Sequence, residues 1–321
     1  VFPLIASAAT GQTNGLMNPQ VIDLNSDGKA DIVYAGDLQG NLWKFDITAT
    51  TESGWTVSFG GNPLFMARDS GNSPQPIVAA PIWVPHPNGG IMLGFTTGRN
   101  FTTGDRTDVS EQSIYAIWDN SKITIASSGA VAVIDDASKR ITNGRISLVQ
   151  QTANSTVVSS FGGRTFYSSS SNPVNYASTG ANPNKRGWYM NFLDSGERGT
   201  NNPEMSNAGG NYADFFSSIP AQGTDSNTET CSLTSKAEVP FVTTLSLING
   251  APTAKPYYDN NGGGFTGSET VTSRVKGQGK AVTFKNSDSS GSNTSYTGTN
   301  PTGLVKKPPL DNGITTGWRE R

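Results

Sequence analysis

The residues best placed to do chemistry are Asp23, Asn25, Asp27 and Asp31, in the run Asp23-Leu24-Asn25-Ser26-Asp27-Gly28-Lys29-Ala30-Asp31. Their side-chain oxygens can all turn toward one point, and Gly28 permits the sharp bend between them. The main-chain carbonyl of Lys29 falls where such loops supply a backbone ligand. Hard oxygens, several of them anionic, on a short flexible curve are what Ca²⁺ requires. The first six positions fit the pattern D-x-[DN]-x-[DN]-G, but the twelfth is Tyr34 where an EF-hand places glutamate. Val21-Ile22 before the run and Ile32-Val33-Tyr34 after it are β-type, with Pro19 ahead of them, so helices do not flank it. The expectation is a nine-residue Ca²⁺ loop joining two strands. A turn that binds nothing competes with it, since Asp, Asn and Gly favour turns for local reasons. Three carboxylates so close would repel one another in an empty turn, which favours the metal.

Other chemistries find little support. The single histidine, His86, lies between Pro85 and Pro87 and reads as an exposed loop residue, with no nucleophile-elbow pattern beside it. One His and one Cys do not make a zinc site, which normally takes three or four such ligands. Gly262-Gly263-Gly264 lacks the Lys-Ser/Thr of a phosphate-binding loop and reads as a flexible turn. Asp194 and Glu197 suggest paired carboxylates for glycoside cleavage, yet they read better as a turn with Arg198. Trp43, Trp83, Trp118 and Trp188 share strand faces with other apolar residues and read as core, not as a sugar platform. No catalytic residues are assigned, and the chain reads as a binding module, not an enzyme.

The elements that must hold the loop are strands. Asn41–Ile47, Gln112–Asp119 and Arg186–Asp194 alternate, each carrying a tryptophan on its apolar face and ending at or near an Asp. Ile82-Trp83-Val84 and Ile91-Met92-Leu93 flank a hairpin-type loop at 85–90, and further strands fall at 213–216 and 240–247. The aromatic units recur at roughly 70 residues, longer than the ~40–50 of a regular propeller blade. Polar stretches at 120–185, 196–236 and 260–303 account for the excess, and the last, rich in Gly, Ser and Asn, is expected to be a mobile insertion. No helical pattern of useful length appears. Many short strands with Gly-rich turns indicate a sandwich or a propeller, and repetition of one strand type favours the propeller.

At 321 residues the chain is read as one large all-β domain, 1–321. Only 15% of residues are charged, leaving a Ser/Thr/Asn/Gly surface that suits an extracytoplasmic protein. A net charge of −2 offers no basic footprint for nucleic acid. The apolar runs are strand length, too short to span a membrane. The start at Val1, without a secretory signal, suggests a piece of a longer protein. Cys231 is the only cysteine, so no disulfide forms within the chain.

Four landmarks carry a family resemblance: Asp23–Asp46, Thr97-Gly98-Arg99-Asn100 through Asp119, Gly187-Trp188-Tyr189 with Asp194-Ser195-Gly196-Glu197-Arg198, and Gly317-Trp318-Arg319-Glu320. In that order they resemble the PilY/PilC family, which assists assembly of type IV pili and sits at their tips. The resemblance implies a modified, quinoprotein-like β-propeller with long polar loop insertions and one surface Ca²⁺ loop. The loop's ligands would be Asp23, Asn25, Asp27, the Lys29 carbonyl and Asp31. In the family, calcium occupancy is linked to the balance of pilus extension and retraction. The implied partners are minor pilins and the assembly machinery, with a host or surface receptor besides, at the pilus tip, cell surface or outer membrane. Twitching motility and adhesion are the expected outputs. The alternative is an extracellular calcium-loop propeller that binds a carbohydrate or host receptor independently of pili. The chain lacks Arg-Gly-Asp, so no integrin-type contact is implied.

Overall fold

Apolar side chains alternate between two buried faces along the strands, and this is what stacks the sheets. The computed structural model describes residues 13–222, 236–265, 268–285, 292–297 and 300–306. Cys231 and the Gly317–Glu320 landmark lie outside the described residues. Along the chain the strands are β1 (Leu16–Ile22), β2 (Ile32–Asp37), β3 (Asn41–Asp46), β4 (Thr56–Val57), β5 (Phe65–Met66), β6 (Ile82–Pro85), β7 (Ile91–Thr96) and β8 (Ser113–Asp119). Next come β9 (Ile123–Ile125), β10 (Val131–Val133), β11 (Val149–Gln151), β12 (Ala153–Phe161), β13 (Arg164–Ser169) and β14 (Gly187–Asn191). The last are β15 (Glu204–Met205), β16 (Tyr212–Ile219), β17 (Val239–Ser246), β18 (Arg274–Lys276), β19 (Val282–Lys285), β20 (Asn293–Thr297) and β21 (Asn300–Lys306).

The first sheet has the order β1-β2-β3-β4, with β5 also on β3. The second is β11-β14-β8-β7-β6, the third β12-β13-β18-β17-β16-β15, and the fourth β19-β20-β21. The β9–β10 hairpin stands as a separate two-stranded sheet. Pairing is antiparallel except where β11 joins β14. The chain does not finish one sheet before starting the next. It leaves the second sheet after β11, lays down β12 and β13 in the third, returns to the second as β14, and then completes the third.

In β8, Tyr115 and Ile117 face a cluster shared with Ile22, Ile32, Tyr34 and Leu42 of the first sheet. Ile114, Ala116 and Trp118 face the opposite way, onto Phe215 and Leu245 of the third and onto Leu247 just past β17. Phe216 and Val242 on the third sheet's far side meet Tyr257, Tyr258 and Leu304. A central sheet covered on both faces loses its polar side, as sheets buried on both sides do. Each large side chain so buried contributes about 1.5–3 kcal/mol. Trp43, Trp118 and Trp188 are buried, as expected of core residues, whereas Trp83 is half-buried against the cluster between the first and second sheets.

Two landmark glycines are required by close approach. Gly187 sits at φ +131°, and a Cβ there would lie 1.9 Å from the Ala116 carbonyl oxygen on β8. Gly98, at φ +127°, would drive a Cβ to 2.4 Å from that of Arg198. Both positions pair segments distant in sequence, which explains why the landmarks occur together.

The polar stretches carry more structure than their composition suggests. Residues 120–185 hold β9 to β13. Within the stretch 260–303, β18 lies inside the third sheet and Arg274 and Val275 are fully buried, while 266–267, 286–291 and 298–299 lie outside the described residues. Strand β12 escaped notice because it is an edge strand whose Asn154, Ser155 and Thr156 face solvent.

Candidate metal centre

The Asp23–Asp31 run is the loop between β1 and β2, closed at its neck by the Ile22–Ile32 pair and by Asp31 N–H donating to the Ile22 carbonyl at 2.8 Å. Ser26 and Gly28 are left-handed, at φ 60° and 85°, which turns the chain back on itself. The side-chain oxygens point inward onto main-chain N–H groups. Asp23 Oδ2 accepts from Gly28 N at 2.8 Å and its Oδ1 from Asp27 N at 3.3 Å. Asn25 Oδ1 also accepts from Asp27 N, at 3.0 Å, and Asp27 Oδ1 accepts from Lys29 N at 2.8 Å. Asp31 Oδ2 accepts from Leu24 N at 2.7 Å.

Asp31 forms the buried floor of the loop, whereas Ser26, Asp27, Gly28 and Lys29 form an exposed rim. Burial raises the Asp31 carboxyl above the usual carboxylate range, and the Asp23 and Asp27 charges add to the rise against the Leu24 hydrogen bond. A cation at the loop centre would relieve that repulsion. Among the described residues, no three Asp, Glu, His or Cys groups are drawn close enough to grip a metal as they stand. Asp23, Asp27 and Asp31 share the loop without converging, so ion binding requires them to close in. The donor set is all oxygen with three carboxylates, which fits Ca²⁺ in kind. Leu24 packs onto the cluster between the first and second sheets, and Ile47 N–H on the end of β3 donates to the Asp31 carbonyl at 3.0 Å.

Three side-chain arrangements differ from the sequence expectation. His86 is not exposed: it is 5% accessible and stacks on Trp118, ring centroids 4.3 Å apart. Its Nδ1 accepts from Asn88 N at 3.1 Å, and burial lowers its pKa to about 4. The ring is therefore a neutral part of the core and unsuited to base catalysis near neutrality. Asp194 to Glu197 close a turn, with Glu197 N–H donating to the Asp194 carbonyl at 3.1 Å, but their carboxylates do not pair with Arg198. Both carboxylates bind Arg274, through Nη2–Asp194 Oδ2 at 2.7 Å, Nη1–Glu197 Oε1 at 2.5 Å and Nη2–Glu197 Oε2 at 2.8 Å. Lys276 holds the other Asp194 oxygen at 2.8 Å. Arg198 instead donates to the carbonyls of Arg99, Asp105 and Asp108, fastening the Thr97–Asn100 landmark to the Asp194–Arg198 one.

Sequence reading missed two buried groups altogether. Asp37 accepts from Gln39 N, Asn41 N, Asn14 Nδ2, Asn41 Nδ2 and Trp43 Nε1, all within 2.8–2.9 Å. Lys44 Nζ lies 2.7 Å from Asp119 Oδ2, with both side chains 1% accessible. The Asp37-Leu38-Gln39-Gly40 turn directly ahead of the alternating Asn41–Asp46 run is the signal that would have exposed the first.

With this geometry in place, the relatives are informative. The PilY1 beta-propeller domain family matches residues 4–165, half of the chain. The chain belongs to the PilY1 β-propeller family. The type IV pilus biogenesis factor PilY1 of Pseudomonas aeruginosa strain PAO1 is 39% identical over 214 residues, covering 60% of this chain and 18% of that protein. A PilY1 homolog of Xylella fastidiosa (strain Temecula1) is 28% identical over 271 residues, covering 83% of this chain and 18% of that protein. The chain thus spans under one fifth of these PilY1 relatives. The crystal structure of the Pseudomonas aeruginosa PilY1 C-terminal domain superposes with a TM-score of 0.69 at 27% identity, covering 94% of this chain and 62% of that one. The stacked sheets are therefore those of an all-β propeller. Among the described residues no helix is long and apolar enough to cross a membrane.

Proposed function

We propose that this PilY1-type propeller is the calcium-binding module of a type IV pilus biogenesis factor. It acts outside the cytoplasm through protein contacts, and calcium occupancy of the Asp23–Asp31 loop shifts the balance between pilus extension and retraction. Minor pilins and the assembly machinery are its partners, and twitching motility and surface adhesion are the outputs. The reading rests on one observation above the rest: Asp23, Asn25, Asp27 and Asp31 turn their side-chain oxygens into one nine-residue loop, where burial, with the Asp23 and Asp27 charges adding to it, raises the Asp31 carboxyl. Membership of the PilY1 family supports the pilus context.

Affinity suits a responsive site. The loop has three carboxylates and an amide but no bidentate glutamate, so a Kd of about 10⁻⁶ to 10⁻³ M is expected by calorimetry. Asp27→Ala removes an exposed ligand without touching the core, and should weaken Ca²⁺ binding at least about tenfold. Chelation should leave the propeller folded, because the inter-sheet clusters do not include the ligands, and circular dichroism in EDTA checks this. In cells, the Asp27→Ala protein should be made and exported while surface piliation or twitching fails. Normal piliation by a strain whose purified domain binds no Ca²⁺ would refute the switch.

A further inference from the structure

The loop makes one polar contact far from its own sheet. Asn25 Nδ2 donates to the Gly129 carbonyl at 2.8 Å, across 104 positions of sequence. Gly129 lies at the tip of the β9–β10 hairpin, at φ +86°, where its N–H donates to the Ala126 carbonyl and Ala126 N–H to that of Ala130. The hairpin pairs with no other sheet. Two strands alone are marginally stable in water, so its order depends on what it leans on. Ile123 and Val133 rest on the same apolar cluster as Leu24 of the loop. Past the hairpin, Asp135 accepts from Phe59 N on the first sheet's side. The tip is thus held by Asn25 and the base by packing and Asp135.

Asn25 has two ends with opposite hydrogen-bonding character. Its Oδ1 turns into the loop, where it accepts from Asp27 N, and its Nδ2 turns out to Gly129. An N–H partner on one side and a carbonyl on the other fix this orientation of the amide. An aspartate there would supply an equal or better ligand oxygen but would oppose the Gly129 carbonyl with a second oxygen. Only the amide satisfies both neighbours.

We propose that Asn25 couples the metal loop to the β9–β10 hairpin, so that Ca²⁺ orders the hairpin and the half-exposed Ile125 and Ile134 that it carries and adjoins. This rests on the calcium reading of the loop. An ion on Oδ1 immobilises the amide and polarises its N–H, strengthening the grip on Gly129. Without the ion, Oδ1 is held by the Asp27 N–H alone, and the grip on the tip is weaker. The ion shifts the hairpin by the difference in its affinity for the two arrangements.

Hydrogen–deuterium exchange on the whole chain tests this, with Ca²⁺ itself as the probe against chelator and calorimetry run in parallel. Peptides spanning 121–134 should exchange about three- to tenfold more slowly with Ca²⁺, the protection one hydrogen bond supplies. Peptides from β16 and β17 should not change. Each variant is compared at its own Ca²⁺ saturation, fixed by calorimetry: saturated Asn25→Asp should lose the calcium-dependent protection at 121–134. Saturated Asn25→Ser, whose hydroxyl cannot reach Gly129, should lose it too and serves if the aspartate variant does not fold. Ca²⁺ uptake by the unaltered protein with no change at 121–134, or full protection in either variant, would overturn the coupling alone. Absence of any Ca²⁺ uptake by the unaltered protein would overturn the coupling and the calcium reading together.

Discussion

Asp119→Ala is expected to destabilise the propeller by about 3–5 kcal/mol, because it strands a buried lysine. Lys44 and Asp119 join the first sheet to the second at 2.7 Å, and neither side chain is more than 1% accessible. Tyr34 O–H donates to the same Asp119 oxygen at 2.6 Å, while Ser121 N and Oγ occupy the other. Removing the carboxylate leaves the ammonium over the rings of Phe59 and Tyr34 without its ion-pair partner. Urea denaturation should show the full loss, and pairing the change with Lys44→Met should recover part of it. The pair also has a pH signature. Burial alone would raise the Asp119 carboxyl, but the Lys44 charge and the hydrogen bonds outweigh it and hold it below its usual 3.8. A depressed folded-state value contributes stability above the unfolded pKa and loses it as pH falls through the folded one. The stability gap between parent and Asp119→Ala should therefore be full near neutral pH and shrink only below about pH 4.

Glu197→Ala should cost a similar amount, about 3–5 kcal/mol. Glu197 is fully buried and takes both Nη groups of Arg274, whose guanidinium lies 4.1 Å from the Phe241 ring centre. Ser217 Oγ donates to Glu197 Oε1 at 2.6 Å, so the variant strands a hydroxyl as well as a cation. Asp194 retains one bond to Arg274, but it is 22% accessible and shared with Lys276, so it replaces little of the loss. Thermal melting of Glu197→Ala beside Asp194→Ala checks the ranking, with Glu197 the costlier. Equal, small losses at both positions would show that the cluster is ornamental.

How far the sequence disclosed this molecule depended on whether a residue's role was local. The tryptophans of β3, β8 and β14 declared their strands because burial of Trp43, Trp118 and Trp188 follows from period two along a single segment. The inward turn of the Asp23–Asp31 loop was legible for the same reason, since its side chains contact one another's main chain within nine residues. Lys44 was not legible. It occupies the polar phase of the alternation in Asn41–Asp46, which normally means solvent, but the first sheet packs against the second on that face. Asp119 does start a turn through Ser121, as its position suggested, and its second partner 75 residues away lay beyond any local pattern. Arg274 and the amide nitrogen of Asn25 were hidden likewise, their partners 77 and 104 positions distant. His86 misled because a Pro-flanked histidine normally faces water, whereas here Trp118 and Tyr176 close over it.

The to-and-fro path of the chain between the second and third sheets has a mechanical meaning. In a solenoid of independent repeats, each unit can peel away by itself, and stability is close to a sum over units. Here β12 and β13 are committed to the third sheet before β14 has closed the second, so neither sheet owns a continuous segment. The first sheet is one continuous segment, 16–66, tied to the second by Lys44–Asp119 and the shared apolar cluster. The next two sheets interleave along the chain and cannot be withdrawn one at a time. A nick made between 120 and 185 would therefore leave two fragments still laced into one body, and a pull on the chain ends would meet a single large barrier in place of a staircase. For a module proposed to serve a fibre that extends and retracts, that lacing converts tension on one strand into resistance shared by two blades.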